Sequence, residues 1–198
     1  MVIHRHLPTR GALARQHLDI VGLCTTPLEQ VALWDAAINR GLVRSEESLL
    51  LTRGTEQRRS RVIGAIDGRA QSPLETVARV ALREAGFSVT PQVLLPGVGR
   101  VDLLVEGRVV VETDGYAFHH DREQFARDRK RDRALELSGY AVLRYTSADV
   151  LQAASGVVDD VIGVMWRRGW LTPTVRTNLD AAARVSRFGW RDRPGCCG

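Results

Sequence analysis

Lysine is almost missing from this sequence: of its 28 basic residues, all but Lys130 are arginine. Against 23 acidic residues they leave a formal charge of +5, which points toward an anionic partner such as nucleic acid, although a merely basic protein would look the same. Cysteine is scarce too. Cys24, Cys196 and Cys197 are odd in number and show no CxxC spacing, which argues against a disulfide framework or a zinc knuckle and fits a reducing cytoplasm. No stretch approaches the roughly 18 uninterrupted apolar residues of a membrane span. The basic N-terminus is followed by no apolar h-region, so neither membrane insertion nor export is expected. Repeats and low-complexity tracts are also absent.

What is present suffices for a packed core, since 44% of the 198 residues are hydrophobic. "MVIHRH" and "HLDIVGLCTT" alternate like short strands. "TTPLEQVALWDAAINRGL" reads as a helix with Thr26 as N-cap, Pro27 in the first turn and Glu29 at N3. Two further short helices lead to "DGRAQSP", the best boundary in the chain. Residues 1–70 are therefore read as a small α+β module, residues 71–153 as the main domain and residues 154–198 as a helical extension.

From Ser72 the pattern is cleaner. "SPLETVARVALREAG" has Ser at the N-cap, Glu75 at N3 and Gly86 as its stop. "VTPQVLLPG", "RVDLLVEG" and "RVVVETDG" read as an antiparallel meander, "DREQFARDRKRDRALELSG" as a long helix, "YAVLRYT" as a strand and "SADVLQ" as the start of another helix. The predicted order of this α/β core is helix, three antiparallel strands, helix, strand, helix.

Glu112 and Asp114 lie two apart on one strand and share a face, with Asp102 on the strand before. A two-residue Glu106–Gly107 turn would put Asp102 and Glu112 on opposite faces, whereas a three-residue loop from Glu106 to Arg108 would set them opposite each other. Converging carboxylates repel unless a cation offsets them, and oxygen ligands favour Mg²⁺ or Mn²⁺. His119 and His120 follow closely enough for an imidazole to return over the strand end and exchange a proton with water or a leaving oxygen. On the long helix, Phe125, Asp128, Asp132 and Leu135 form one stripe, so that an aspartate there pairs with Arg131 or Arg144.

"SPLE", "RVDLLV", "VVVETDGYAFHHD" and "FARDRKRDRALELSGYAVLRYT" together resemble the very-short-patch-repair (Vsr)-like endonuclease domains of the PD-(D/E)XK superfamily, over about residues 72–150. The resemblance implies a restriction-endonuclease-like core that hydrolyses DNA with Mg²⁺ or Mn²⁺. It makes Asp102 the first-strand metal ligand, Glu112 the acid of the second motif, the Thr113 carbonyl a further ligand, and Glu75 the acid that orients water. His119 matches a histidine of the repair enzymes, and Asp114 stands where the superfamily's E-x-K motif has lysine. Arg122, Arg129, Lys130 and Arg144 are the expected DNA contacts. The second reading is a nucleic-acid-binding or regulatory protein on a degenerate nuclease fold, because the lysine is absent. It also draws on "TTPLEQVALWDAAINRGLVRSEESL", which resembles the final part of an abortive-infection antitoxin-type module.

Overall fold

The computed structural model of the chain describes residues 14–114 and 122–185, with backbone alone at 114, 122–128 and 183–185. Two compact units contain them, residues 14–76 and 77–185.

The described part of the first unit is helical: α1 (Ala14–Val21), α2 (Pro27–Asn39), a 3-10 turn (Ser45–Leu50) and α3 (Glu56–Ala65). α2 begins as its sequence requires, with Thr26 Oγ1 accepting the Glu29 N–H at 3.2 Å and Glu29 Oε2 accepting the Thr26 N–H at 2.7 Å. The strand expected from "HLDIVGLCTT" is instead α1, and no strand occurs among the described residues of this unit. Alternation over so few letters cannot separate a strand from a helix stripe, and the deciding residue is polar. Asp19 is buried and accepts hydrogen bonds from Thr52 N, Thr52 Oγ1 and Arg53 N, contacts that a short solvent-facing strand would not give it. Arg58 closes the other end, donating to Gly22 O and Thr25 O at 2.9 and 2.7 Å. It thereby satisfies carbonyls of the connection between α1 and α2. "MVIHRH" lies outside the described residues.

α4 (Pro73–Glu84) starts with Ser72 Oγ accepting the Glu75 N–H at 3.1 Å and stops before Gly86, whose φ of +97° suits glycine. The second unit then follows the expected order: β1 (Val89–Leu95), β2 (Gly99–Val105), β3 (Val109–Asp114), α5 (Arg122–Leu137), β4 (Ala141–Thr146) and α6 (Ser147–Gln152). It is a mixed α/β arrangement with one four-stranded sheet in the order β1-β2-β3-β4. β1, β2 and β3 are antiparallel, and β4 joins parallel to β3. α7 (Ala154–Arg167) and α8 (Pro173–Val185) complete it.

The valines of β3 explain the core. Val109, Val110 and Val111 are each fully buried, so both faces of this strand are covered, as a continuous apolar run suggests. Leu135 of α5 packs with Val110, and Val142 packs against the same cluster. On the opposite face Tyr145 of β4 donates from its hydroxyl to Asp160 of α7 at 3.1 Å. Thus α5 covers one face of β4 and α7 the other.

Candidate active site

The β2–β3 hairpin sets the site. Val105 pairs with Val109 and Leu103 with Val111, so the connection is the three-residue loop Glu106 to Arg108. Glu106 and Gly107 both take positive φ, +50° and +65°, which matches the right-handed twist of the flanking strands. Glu106 holds that conformation with its carboxylate accepting the Ser88 N–H at 2.6 Å. Continuing the register by one residue sets Asp102 opposite Glu112 on the same face. Arg108 N also donates to Val105 O at 3.0 Å, closing a tight turn on Glu106 and Gly107, and Arg108 is the extra residue that keeps Asp102 and Glu112 from being separated. Where the ladder ends, Asp102 Oδ2 accepts the Thr113 N–H at 2.9 Å.

On the other flank Pro91 pairs with Leu103 and Val93 with Val101, which brings Gln92 across from Asp102 with φ +56°. A non-glycine residue in the left-handed region inside a strand is strained. That strain falls beside the acid.

Glu112 is 5% exposed, and a carboxylate that buried needs cationic partners. The parallel register brings Arg144 of β4 beside it. Arg144 Nε donates to Glu112 Oε2 at 3.0 Å, and Arg131 Nη2 of α5 approaches Glu112 Oε1 at 2.5 Å. Arg144 Nη2 in turn bonds Asp132 Oδ1, and Arg131 also donates to the Arg100 carbonyl. Asp132 and Leu135 thus share a stripe of α5 as the spacing indicated, one tied to an arginine and one in the core. The bond from Arg144 holds the Asp132 carboxyl below the usual carboxylate range, and Asp132, helped by Glu112, raises Arg144 above the ordinary arginine value. The chain Asp132, Arg144, Glu112, Arg131 fastens α5, β4 and β3 together.

The remaining candidates are distributed as follows. Glu75 is 5% exposed and its Oε2 accepts the Gln71 N–H at 2.9 Å, a bond that caps α4. Asp114 ends β3 with its backbone paired to Thr146, while its side chain, His119 and His120 lie outside the described residues. So does the Arg122 side chain. Arg129 and Lys130 are exposed on α5. Arg144, expected as a DNA contact, is 42% exposed in its side chain and belongs to the Glu112 cluster. Arg131 as a partner of Glu112 was not expected. Its place next to Asp132 was visible, but its reach to β3 depends on how α5 crosses the sheet.

Among the described residues no group of three or more His, Cys, Asp or Glu comes together, so two facing carboxylates are what they offer a cation. The donor chemistry fits a hard divalent ion. A carboxylate oxygen can accept more than one contact, and both Glu112 oxygens already meet guanidiniums while Asp102 Oδ2 accepts from Thr113. All these donors are oxygen, as Mg²⁺ and Mn²⁺ prefer.

No helix among the described residues is long and apolar enough to cross a membrane. No curated protein and no solved structure matches the chain. Restriction endonuclease-like families usually use divalent metal ions. Residues 75–165, a little under half of the chain and the stretch that contains Asp102 and Glu112, match the model of one such family, REase_MTES_1575, which supports a nuclease-like domain there.

Proposed function

We propose that the second unit is an Mg²⁺- or Mn²⁺-dependent endonuclease that hydrolyses DNA phosphodiester bonds on a restriction-endonuclease-like core of the Vsr-like kind. The observation that carries this reading is Asp102 set opposite Glu112 at the end of the β2–β3 ladder. Asp102, Glu112 and the Thr113 carbonyl would hold the ion. When bound, it supplies Lewis acidity toward a phosphate oxygen and the attacking water.

The chain's own groups do the rest. Asp114 occupies the place of the lysine expected from the resemblance, and Arg131 and Arg144 restore positive charge from α5 and β4. Each spends only part of its five N–H donors on the contacts described, so the others can meet the charge that grows on the phosphate. His119 is the proton acceptor or donor, and Asp114 orients water. The core is residues 71–153, with a helical extension over 154–198 and an antitoxin-type regulatory remnant over 1–70.

Incubating the protein with supercoiled plasmid and Mg²⁺ or Mn²⁺ tests this. Wild type should nick the plasmid and Asp102→Ala, still folded by circular dichroism, should not. Equal nicking by both rejects the mechanism. The second reading, a nucleic-acid binder on a degenerate nuclease fold, is favoured by Asp114 and by the occupation of both Glu112 oxygens; plasmid retention without nicking by wild type would select it.

A further inference from the structure

β4 is the outermost strand, and its far edge has no strand partner among the described residues. A groove of about 420 Å³ lies along that edge, within the range of about 300–1,000 Å³ that ligand sites occupy. Its floor follows β4 to Arg144, one wall is Asp132 and Glu136 of α5, and the other carries Arg167 and Arg168 from the end of α7. The sequence builds both walls simply. Asp132 and Glu136 are spaced i, i+4 and form one stripe, while Arg167 ends α7 and Arg168 is its C-cap.

Charge and position select the occupant. Arg144 and Asp132 neutralise each other, which leaves Arg167 and Arg168 facing Glu136 and makes the groove positive. Neither arginine has an ion pair among the described residues. Arg168 lies over the Trp170 ring at 5.4 Å from its centroid, and Arg108 lies over the same ring at 5.4 Å, so its direction is set before any ligand arrives. Basic residues at a helix C-terminus also complement the helix dipole. That role accounts for their charge but not for their turning into a groove that shares Arg144 with the Glu112 cluster. Both arginines lie beyond residue 165, where the family match ends.

We infer that this groove carries the phosphodiester backbone of the nucleic acid beside the phosphate under attack, with Arg167 and Arg168 each contacting a phosphate oxygen. The inference rests on the nuclease reading of the Glu112 site and extends it to a neighbouring binding site. Arg144, common to both, aligns the two.

The test measures binding in the full-length Asp102→Ala protein without added metal, by anisotropy of a short fluorescent DNA duplex across a salt series. Adding Arg167→Ala and Arg168→Ala should make the plot of log affinity against log salt shallower by about 1.8, the share of two phosphate contacts. A control pair on the first unit, Arg40→Ala and Arg53→Ala, should leave the slope unchanged. An unchanged slope in the groove variant, an equal change in the control, or no duplex binding by the parent overturns the inference. Cleavage by Asp102→Ala itself would reject the catalytic reading alone, because the salt slope reports on the groove separately.

Discussion

Arg144 and Glu112 are neighbours across the parallel strands β4 and β3, and Nε of one lies 3.0 Å from Oε2 of the other. The sheet register, rather than a flexible side chain, thus delivers a guanidinium to the buried acid. A double-mutant cycle with Glu112→Gln and Arg144→Gln should give a coupling of about 1–2 kcal/mol by urea unfolding. This is below the value for a fully buried pair because the Arg144 side chain is 42% exposed and solvent screens it. Additive effects of the two substitutions would contradict the pairing.

Gln92 carries left-handed strain across from Asp102. Gln92→Gly removes the Cβ conflict and should stabilise the protein by up to about 1 kcal/mol, net of glycine's greater freedom when unfolded. Plasmid nicking should nevertheless fall, because the strain is retained beside the site. A less stable variant with full activity would dissociate Gln92 from both roles.

Gly86 combines two demands. Its φ is +97°, and a Cβ there would lie 2.6 Å from the Asn178 carbonyl oxygen of α8. A backbone atom cannot swing aside as a side-chain end can, so Gly86→Ala should cost about 2 kcal/mol or more in chemical denaturation. A change within about 0.5 kcal/mol would show that α8 does not pack this closely.

The Tyr145 hydroxyl gives an alkaline signature. Burial, and then the nearby Asp160 carboxylate, push its ionisation above the ordinary tyrosine value. The unfolded chain therefore ionises first, near pH 10. The associated stability is complete below that pH and declines as pH rises through it toward the folded value. Tyr145→Phe should lose the bond to Asp160 at neutral pH and show a flatter decline above about pH 10. Parallel pH profiles for the two proteins would refute the assignment.

Much of the second unit was legible because each letter group admitted one local solution. Ser72, Glu75 and Gly86 bracket α4, and β1 to β4 are runs of valine and leucine cut by glycine, proline or a helix cap. The β2–β3 register was legible only as two alternatives. The choice between them depended on Glu106 accepting positive φ, which glutamate rarely does and which the Ser88 contact favours. α1 was misread because Asp19, buried by partners 33 and 34 residues away, appears in the sequence as an ordinary polar letter. The same limit hid Arg131 and Arg167. Their significance lies in what α5 and α7 face, and local spacing does not encode that. Glu75 at N3 caps its own helix, as its spacing from Ser72 announced.

The central claim is that Asp102 and Glu112 hold one divalent ion between β2 and β3. Crystals soaked in Mn²⁺ and measured at its absorption edge test it most directly. The account predicts one strong anomalous peak about 2.0–2.3 Å from a carboxylate oxygen of each residue. A peak bound elsewhere, or Asp102 turned to the sheet face away from Glu112, would contradict it.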